Sequence, residues 1–360
     1  MKIDIIIGSL KGGGAERVVS TLANYFDDIG YEVRIFTFSE GDRYPLNKGI
    51  IRKRFHKKLL LFNYALIRAL VYLIQFYRFK ENRPNIICSH INFMAAVTIP
   101  LAKLYDIKVI SSEHSNHKET ALDWKKKIVW NFLYKYADAI TVLTKYDLEF
   151  FKRRNKNVWV MHNPNSFQKI NKQIKNRDKS ILAIGDLNRY LVKGFDNLID
   201  IAFEVNKYHP DWKFKIVGEG DEGKKILQDK VKELNLTDTI LFTGYRSDID
   251  QLLQHSSIFI LCSRNEGMPM ALIEATSQGI ACIAYDCVSG PSDIIENKKN
   301  GVLVANQNKQ EMSKQLMKVI EDEEYRNSLG NEALKTSVDF SIDKIGSQWE
   351  TLFKEILKIK

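Results

Sequence analysis

Arg264–Val304, reading RNEGMPMALIEATSQGIACIAYDCVSGPSDIIENKKNGVLV, is the stretch on which the fold turns. The apolar run Ser256–Ser263 (SSIFILCS) leads into it and is expected to form a buried parallel strand. A polar loop follows, Arg264-Asn265-Glu266-Gly267, with Pro269 expected at the first helical position, where a missing N–H costs nothing. Met270–Gly279 carries helix formers and a closing glycine. Glu266 therefore falls at the carboxyl end of a strand, where open α/β sheets bind ligands, and Glu274 one turn into the helix. The N–H groups of Met268, Met270 and Ala271 would point the positive helix end at an anion, ideally a phosphate. Carboxylates beside such a site suit sugar hydroxyls, which they can accept in pairs. Taken alone, the two glutamates fit an ordinary strand–loop–helix with solvated side chains equally well.

A chain of 360 residues is long for one domain and comfortable for two. The apolar share of 44% and charged share of 27% are those of a globular protein. Cys88, Cys262, Cys282 and Cys287 show no C-x-x-C spacing, so buried thiols in a reducing compartment are expected. MKIDIIIGSL lacks the length and cleavage site of a signal peptide and reads as a first strand, which points to the cytoplasm. The net charge of +10 is uneven, with clusters at Arg52–Lys58 (RKRFHKK) and Trp124–Trp130 (WKKKIVW). Such patches attract nucleic acid or an anionic membrane. No zinc knuckle, RNA-binding aromatic motif or basic zipper is present, so peripheral contact with a membrane is the preferred reading. Leu59–Tyr77 is nearly long enough to span a bilayer but is interrupted by Asn63, Arg68 and Gln75. It fits a helix packed on the first sheet, one lying on a membrane surface, or a span.

At the N-terminus Ile3–Ile7 is a short strand, Gly12-Gly13-Gly14 a loop, and Ala15–Phe26 a helix. That order lets backbone approach a ligand. Tyr31–Phe38, Asn85–Ser89, Lys108–Ser112, Ala139–Leu143 and Val158–Met161 are further strands, with Glu113, His114, Ser115 and Asn116 following the third. Residues 166–179 are polar and aperiodic, as a linker is. The α/β pattern then restarts: Ser180–Ile184, a helix from about Gly194, Lys213–Val217 with Gly218-Glu219-Gly220, and Ile240–Phe242 leading to Thr243-Gly244-Tyr245-Arg246. A second doubly wound domain is the economical solution. Ser341–Lys360 is amphipathic, with Trp349, Leu352, Phe353 and Ile356 along one face.

The wording EGMPMALIEA resembles the E-x7-E signature of the retaining GT-B glycosyltransferases, in particular glycosyltransferase family 4. The resemblance covers most of the chain and is strongest over residues 180–304. It implies an α/β fold of GT-B type, two Rossmann-like doubly wound domains facing a cleft. Residues 1–165 would bind the acceptor, with helix 341–360 packed back on them, and residues 180–340 would bind a nucleotide sugar. On that likeness Glu266 lies by the donor sugar and diphosphate, and Glu274 holds the ribose hydroxyls. Gly218, Tyr245, Arg246, Gly267, Met268, Met270 and Ala271 complete the donor side. The family's strand–G-R-L turn supplies an arginine, whereas this chain has Gly185-Asp186-Leu187. Lys193 matches the family lysine that grips the diphosphate, and Arg189 is the candidate replacement for the missing arginine. GGGAERV resembles the acceptor loop, which brings in Gly13 and Gly14.

SSEHSN resembles members that add an amino sugar to a polyprenyl-diphosphate-linked glycan. Glu113 and His114 are carried over from them, with His114 near the donor sugar as a hydrogen-bonding group or in proton transfer. The implied activity is a retaining hexosyltransferase-type reaction from a UDP-sugar, with no cofactor and no metal, on a lipid-linked glycan at the inner membrane face. A soluble-acceptor transferase, a UDP-sugar 2-epimerase and a non-enzymatic nucleic-acid binder are the alternatives. The last leaves Glu266 and Glu274 without a purpose.

Overall fold

In the computed structural model, which describes residues 1–56, 65–118, 124–171, 174 and 176–359, every strand pairing is parallel. The chain divides into two units, Met1–Ser166 with Phe340–Lys360, and Phe167–Asp339. The first holds β1 (Lys2–Ile6), β2 (Glu32–Thr37), β3 (Ile51–Arg54), β4 (Ile86–His90), β5 (Lys108–Ser112), β6 (Ala139–Val142) and β7 (Val158–Val160) in the order β3-β2-β1-β4-β5-β6-β7. The second holds β8 (Asp178–Ile184), β9 (Lys213–Val217), β10 (Ile240–Gly244), β11 (Ser256–Leu261), β12 (Ala281–Asp286) and β13 (Val302–Ala305) in the order β10-β9-β8-β11-β12-β13. Both are doubly wound, Rossmann-like sheets in which strand order reverses beside the first strand, at β1/β4 and at β8/β11. Central strands are covered on both faces, which is why β11 is buried along its whole length and reads as an apolar run.

In the first unit the helix Ala65–Tyr77 packs under β1 and β2 through a buried ionic cluster. Arg34 grips Asp4 bidentately at 2.6 Å and 2.6 Å, and the Tyr77 hydroxyl donates to the same carboxylate at 2.6 Å. Arg68, which interrupts the apolar sequence, is buried and donates to the Phe38 carbonyl at 3.1 Å. This part of the expected Leu59–Tyr77 helix is thus docked on its domain; its start lies outside the described residues. Among the described residues no helix is long and apolar enough to cross a membrane.

The helix Ile342–Leu357 packs on the helix Gly14–Asp28 of the same unit, with Phe26 and Phe353 rings 5.2 Å apart and Tyr25 Oη donating to Glu350 at 2.8 Å.

Two expectations change. Within 166–179, β8 begins at Asp178, the Ile170 N–H donates to Ser277 O, and Arg177 donates to the carbonyls of Leu253, Gln254, Ser256 and Gln278. Pro269 is the N-cap and not the first helical residue; its carbonyl accepts from Leu272 and Ile273, and the helix is Met270–Ser277. In the basic cluster, Arg52 and Arg54 both bridge to Asp42, at 2.6 Å and 2.7 Å, which removes much of their pull on an outside anion. Lys57 and Lys58 lie outside the described residues.

Candidate active site

The loops after β8 and β11 meet at the point where strand order reverses in the second unit. Lys193 stands on the first loop and Glu266 on the second, and Lys193 Nζ donates to Glu266 Oε1 at 2.8 Å. Seventy-three positions apart in sequence, they are brought together by the adjacency of β8 and β11. Ser263 Oγ donates to the same oxygen at 2.6 Å, and Ser289 Oγ donates to the carbonyls of Glu266 and Gly267 at 2.8 Å and 3.2 Å. Lys193 and Ser263 thus hold the carboxylate through one oxygen, and Ser289 holds the backbone of the buried loop that carries it. Met268 and Glu274 are also buried, and Met270 and Ala271 open the helix, half-buried.

Backbone packing sets the lysine's place. Gly194 follows it with φ +68°, and a Cβ there would stand 1.8 Å from the Cys262 carbonyl. Only glycine allows this approach of the two loops. Arg264 locks them further, donating to Asp196 at 2.7 Å and 2.6 Å and also to the carbonyl of Leu191. Gly218 does the same one strand over: its φ is +154° and a Cβ would stand 1.8 Å from the Gly185 carbonyl. Gly218 is therefore where backbone meets backbone at the strand ends.

Other residues expected on the donor side are placed differently from one another. Asp186, standing where an arginine was expected, caps the short turn Leu187–Arg189 through Oδ1, which accepts from the Asn188 N–H at 2.9 Å. Arg189 ends that turn and is exposed. Tyr245 is exposed after β10, and Arg246 is already paired bidentately with Asp248 at 2.8 Å and 2.5 Å.

In the first unit Gly13 caps the helix Gly14–Asp28, and the Tyr44 hydroxyl bonds both its N–H and its carbonyl, at 3.2 Å and 3.1 Å. Glu113 is buried: its Oε1 accepts from Trp130 Nε1 at 2.7 Å, from Asn92 Nδ2 at 3.1 Å and from the Tyr134 hydroxyl. The acceptor-side glutamate is thus a strut between the loop after β5 and the π-helical turn Val129–Leu133. Its neighbour His114 is half-buried, and its Nε2 lies 2.9 Å from His90 Nδ1. Burial pushes the His114 pKa down to about 4, so the ring is neutral near pH 7 and suited to hydrogen bonding. Among the described residues no three His, Cys, Asp or Glu side chains gather as a metal-binding group.

Ser263, Ser289, the Arg264–Asp196 pair and His90 escape sequence reading. Ser263 alone had a signal, three residues before Glu266 at the strand end; the partners of the others are set only by the fold.

Residues 12–165 match the family described as Glycosyltransferase Family 4, and residues 165–336 that described as Glycosyl transferases group 1. The chain is 28% identical over 361 residues to the amylovoran biosynthesis glycosyltransferase of Erwinia amylovora, across 97% of this chain and 98% of the relative. It is 29% identical over 376 residues to a Campylobacter jejuni N-acetylgalactosaminyltransferase acting on a diphosphoundecaprenol-linked glycan, across 99% of each. Its fold superposes with a TM-score of 0.82, at 17% identity, on Anabaena HepE in complex with UDP and glucose, covering 99% of this chain and 100% of that one. With one family's model on each unit and the GT-B fold throughout, the chain is a glycosyltransferase, a Glycosyltransferase Family 4 domain joined to a Glycosyl transferases group 1 domain.

Proposed function

We propose that the protein is a retaining transferase that moves a sugar from a UDP-sugar to a polyprenyl-diphosphate-linked glycan during surface polysaccharide assembly. The observation that carries the reading is the Lys193–Glu266 pair at the strand-order reversal of the second unit, beside the N-terminus of the helix Met270–Ser277. A lysine and a helix N-terminus can neutralise a leaving diphosphate as it develops charge, so the reaction needs no metal. Glu266 and Glu274 then take hydroxyls of the sugar and ribose, and Arg189 assists Lys193. In the transfer the bond from the anomeric carbon to the diphosphate breaks and UDP leaves with the electron pair. The acceptor hydroxyl forms the new bond and releases its proton. The Anabaena protein's UDP and glucose support the donor class, and the Campylobacter relative's substrate supports the acceptor class.

The surface of the first unit favours a membrane over a soluble acceptor. Trp124, Ile128 and Phe132, at i, i+4 and i+8, are 65%, 45% and 62% exposed, and Lys125, Lys126 and Lys127 lie among them. Ile67, Leu70 and Ile74 form a second exposed stripe on the helix Ala65–Tyr77. Both elements pack on the helix Asn92–Tyr105. Apolar residues interleaved with lysines suit an anionic bilayer at its inner face and no nucleic acid.

A donor screen tests the function: UDP release from UDP-GalNAc, UDP-GlcNAc, UDP-Gal and UDP-Glc, and GDP release from GDP-Man, each with and without membrane extract and with Glu266→Ala as control. Acceptor-dependent release from one donor, lost in the variant, with the product anomer unchanged by NMR, is expected. Consumption of UDP-sugar without any acceptor would favour the epimerase, and turnover of none would sink the reading.

A further inference from the structure

His90, at the end of β4, is outside every contact proposed above, yet it is the residue that holds His114. Its Nδ1 lies 2.9 Å from His114 Nε2, and the two rings are 5.1 Å apart. Its ring also lies 6.2 Å from that of Trp349 on the C-terminal helix, and only 2% of the residue is exposed. Burial, with His114 beside it, holds the His90 pKa well below the usual histidine range, so both rings are neutral near pH 7. A neutral imidazole carries one proton, and a bond between two of them requires one nitrogen to give it and the other to accept. The tautomers of the two rings are thus tied to each other, and the pairing decides whether His114 Nδ1, which has no partner among the described residues, donates or accepts.

We propose that His90 is a positioning residue for glycosyl transfer: its Nδ1 fixes the orientation and tautomer of the His114 ring, and with them the polarity of the atom His114 presents to the donor sugar. The proposal rests on reading His114 as a sugar contact. The β1/β4 reversal in strand order places the end of β4 where a doubly wound sheet opens to ligands, which agrees with that reading.

The test uses the full chain and three variants. His90→Phe keeps a ring against Trp349 and deletes Nδ1; His90→Asn returns a polar atom near the Nδ1 position; His114→Ala is the reference. In His90→Phe, kcat for the preferred donor should fall about tenfold, the size of one lost hydrogen bond, with UDP affinity within about twofold of wild type. His90→Asn should recover most of that loss. Long-range 1H–15N spectra of the histidines should show one neutral tautomer of His114 in the wild type and a mixture in His90→Phe. A tautomer mixture in the wild type overturns the proposal, as does a loss in His90→Phe that leaves the His114 tautomer unchanged, since that marks packing alone. Wild-type turnover in His90→Phe with an impaired His114→Ala overturns the positioning role and leaves the site reading standing. Full activity in His114→Ala removes both.

Discussion

Glu266 receives hydrogen bonds from Lys193 and Ser263 on one oxygen, so the ammonium that would meet a diphosphate is pre-placed by the carboxylate that would meet the sugar. Removing either charge strands the other in a mostly dry loop. Lys193→Met is expected to lower transfer about 10²- to 10³-fold, the scale of losing one oriented charge-stabilising group, as read from steady-state UDP release. His114 gives a second prediction, from its pKa of about 4. A contact that stays neutral leaves no break near pH 6.5 in log kcat/KM; a break there, absent in His114→Ala, would contradict it. The stability sign runs the same way. The unfolded chain binds protons on His114 and His90 below about pH 6.5 while the folded chain resists, so stability falls as pH drops from 6.5 toward 4. Thermal melts of His90→Asn should show a weaker fall over that window.

At the scale of elements, the loops at the strand ends are held by glycines that carry no chemistry. Gly194→Ala puts a Cβ against the Cys262 carbonyl at positive φ, and the two loops must part. A loss of about 2 kcal/mol or more in denaturant unfolding is expected, with weaker UDP binding beside it. Gly185→Ala, whose Cβ would meet the tip of the Phe195 ring at 3.1 Å and the Lys193 stem at 3.2 Å, side chains and not backbone, should cost less. These elements also show what a sequence carries. Strand–loop–helix order and the positions of Glu266 and Lys193 were legible because apolar runs and helix formers alternate with glycine and polar loops. The serines pinning Glu266 were not, because Ser289 reaches it across 23 residues through a contact that exists only after folding. Glu113 was legible as a polar residue after a strand, but not as a buried strut, since Trp130 and Tyr134 aim at it from a π-helical turn and the 3-10 turn after it, which periodicity does not reveal. Arg52 and Arg54 looked like open charge because Asp42 lies ten and twelve residues before them.

At the scale of the whole molecule, the chain crosses from the first unit to the second and returns, so that Phe340–Lys360 belongs to the unit that contains the N-terminus. Trp349→Ala in that returning helix empties a buried site beside His90 and should destabilise the chain by about 3–5 kcal/mol. The exposed apolar stripe Trp124, Ile128 and Phe132, interleaved with Lys125–Lys127, predicts co-sedimentation with vesicles containing phosphatidylglycerol but not with phosphatidylcholine alone. Binding should weaken with added salt and in a Trp124→Ala, Phe132→Ala double variant. The central claim, however, is that the second unit holds a nucleoside diphosphate between Lys193 and the helix at Met270. Calorimetric titration of UDP into the full chain and into Lys193→Met tests it most directly. The account predicts saturable one-site binding to the wild type, weakened at least about tenfold in the variant; no binding, or equal binding by both proteins, would contradict it.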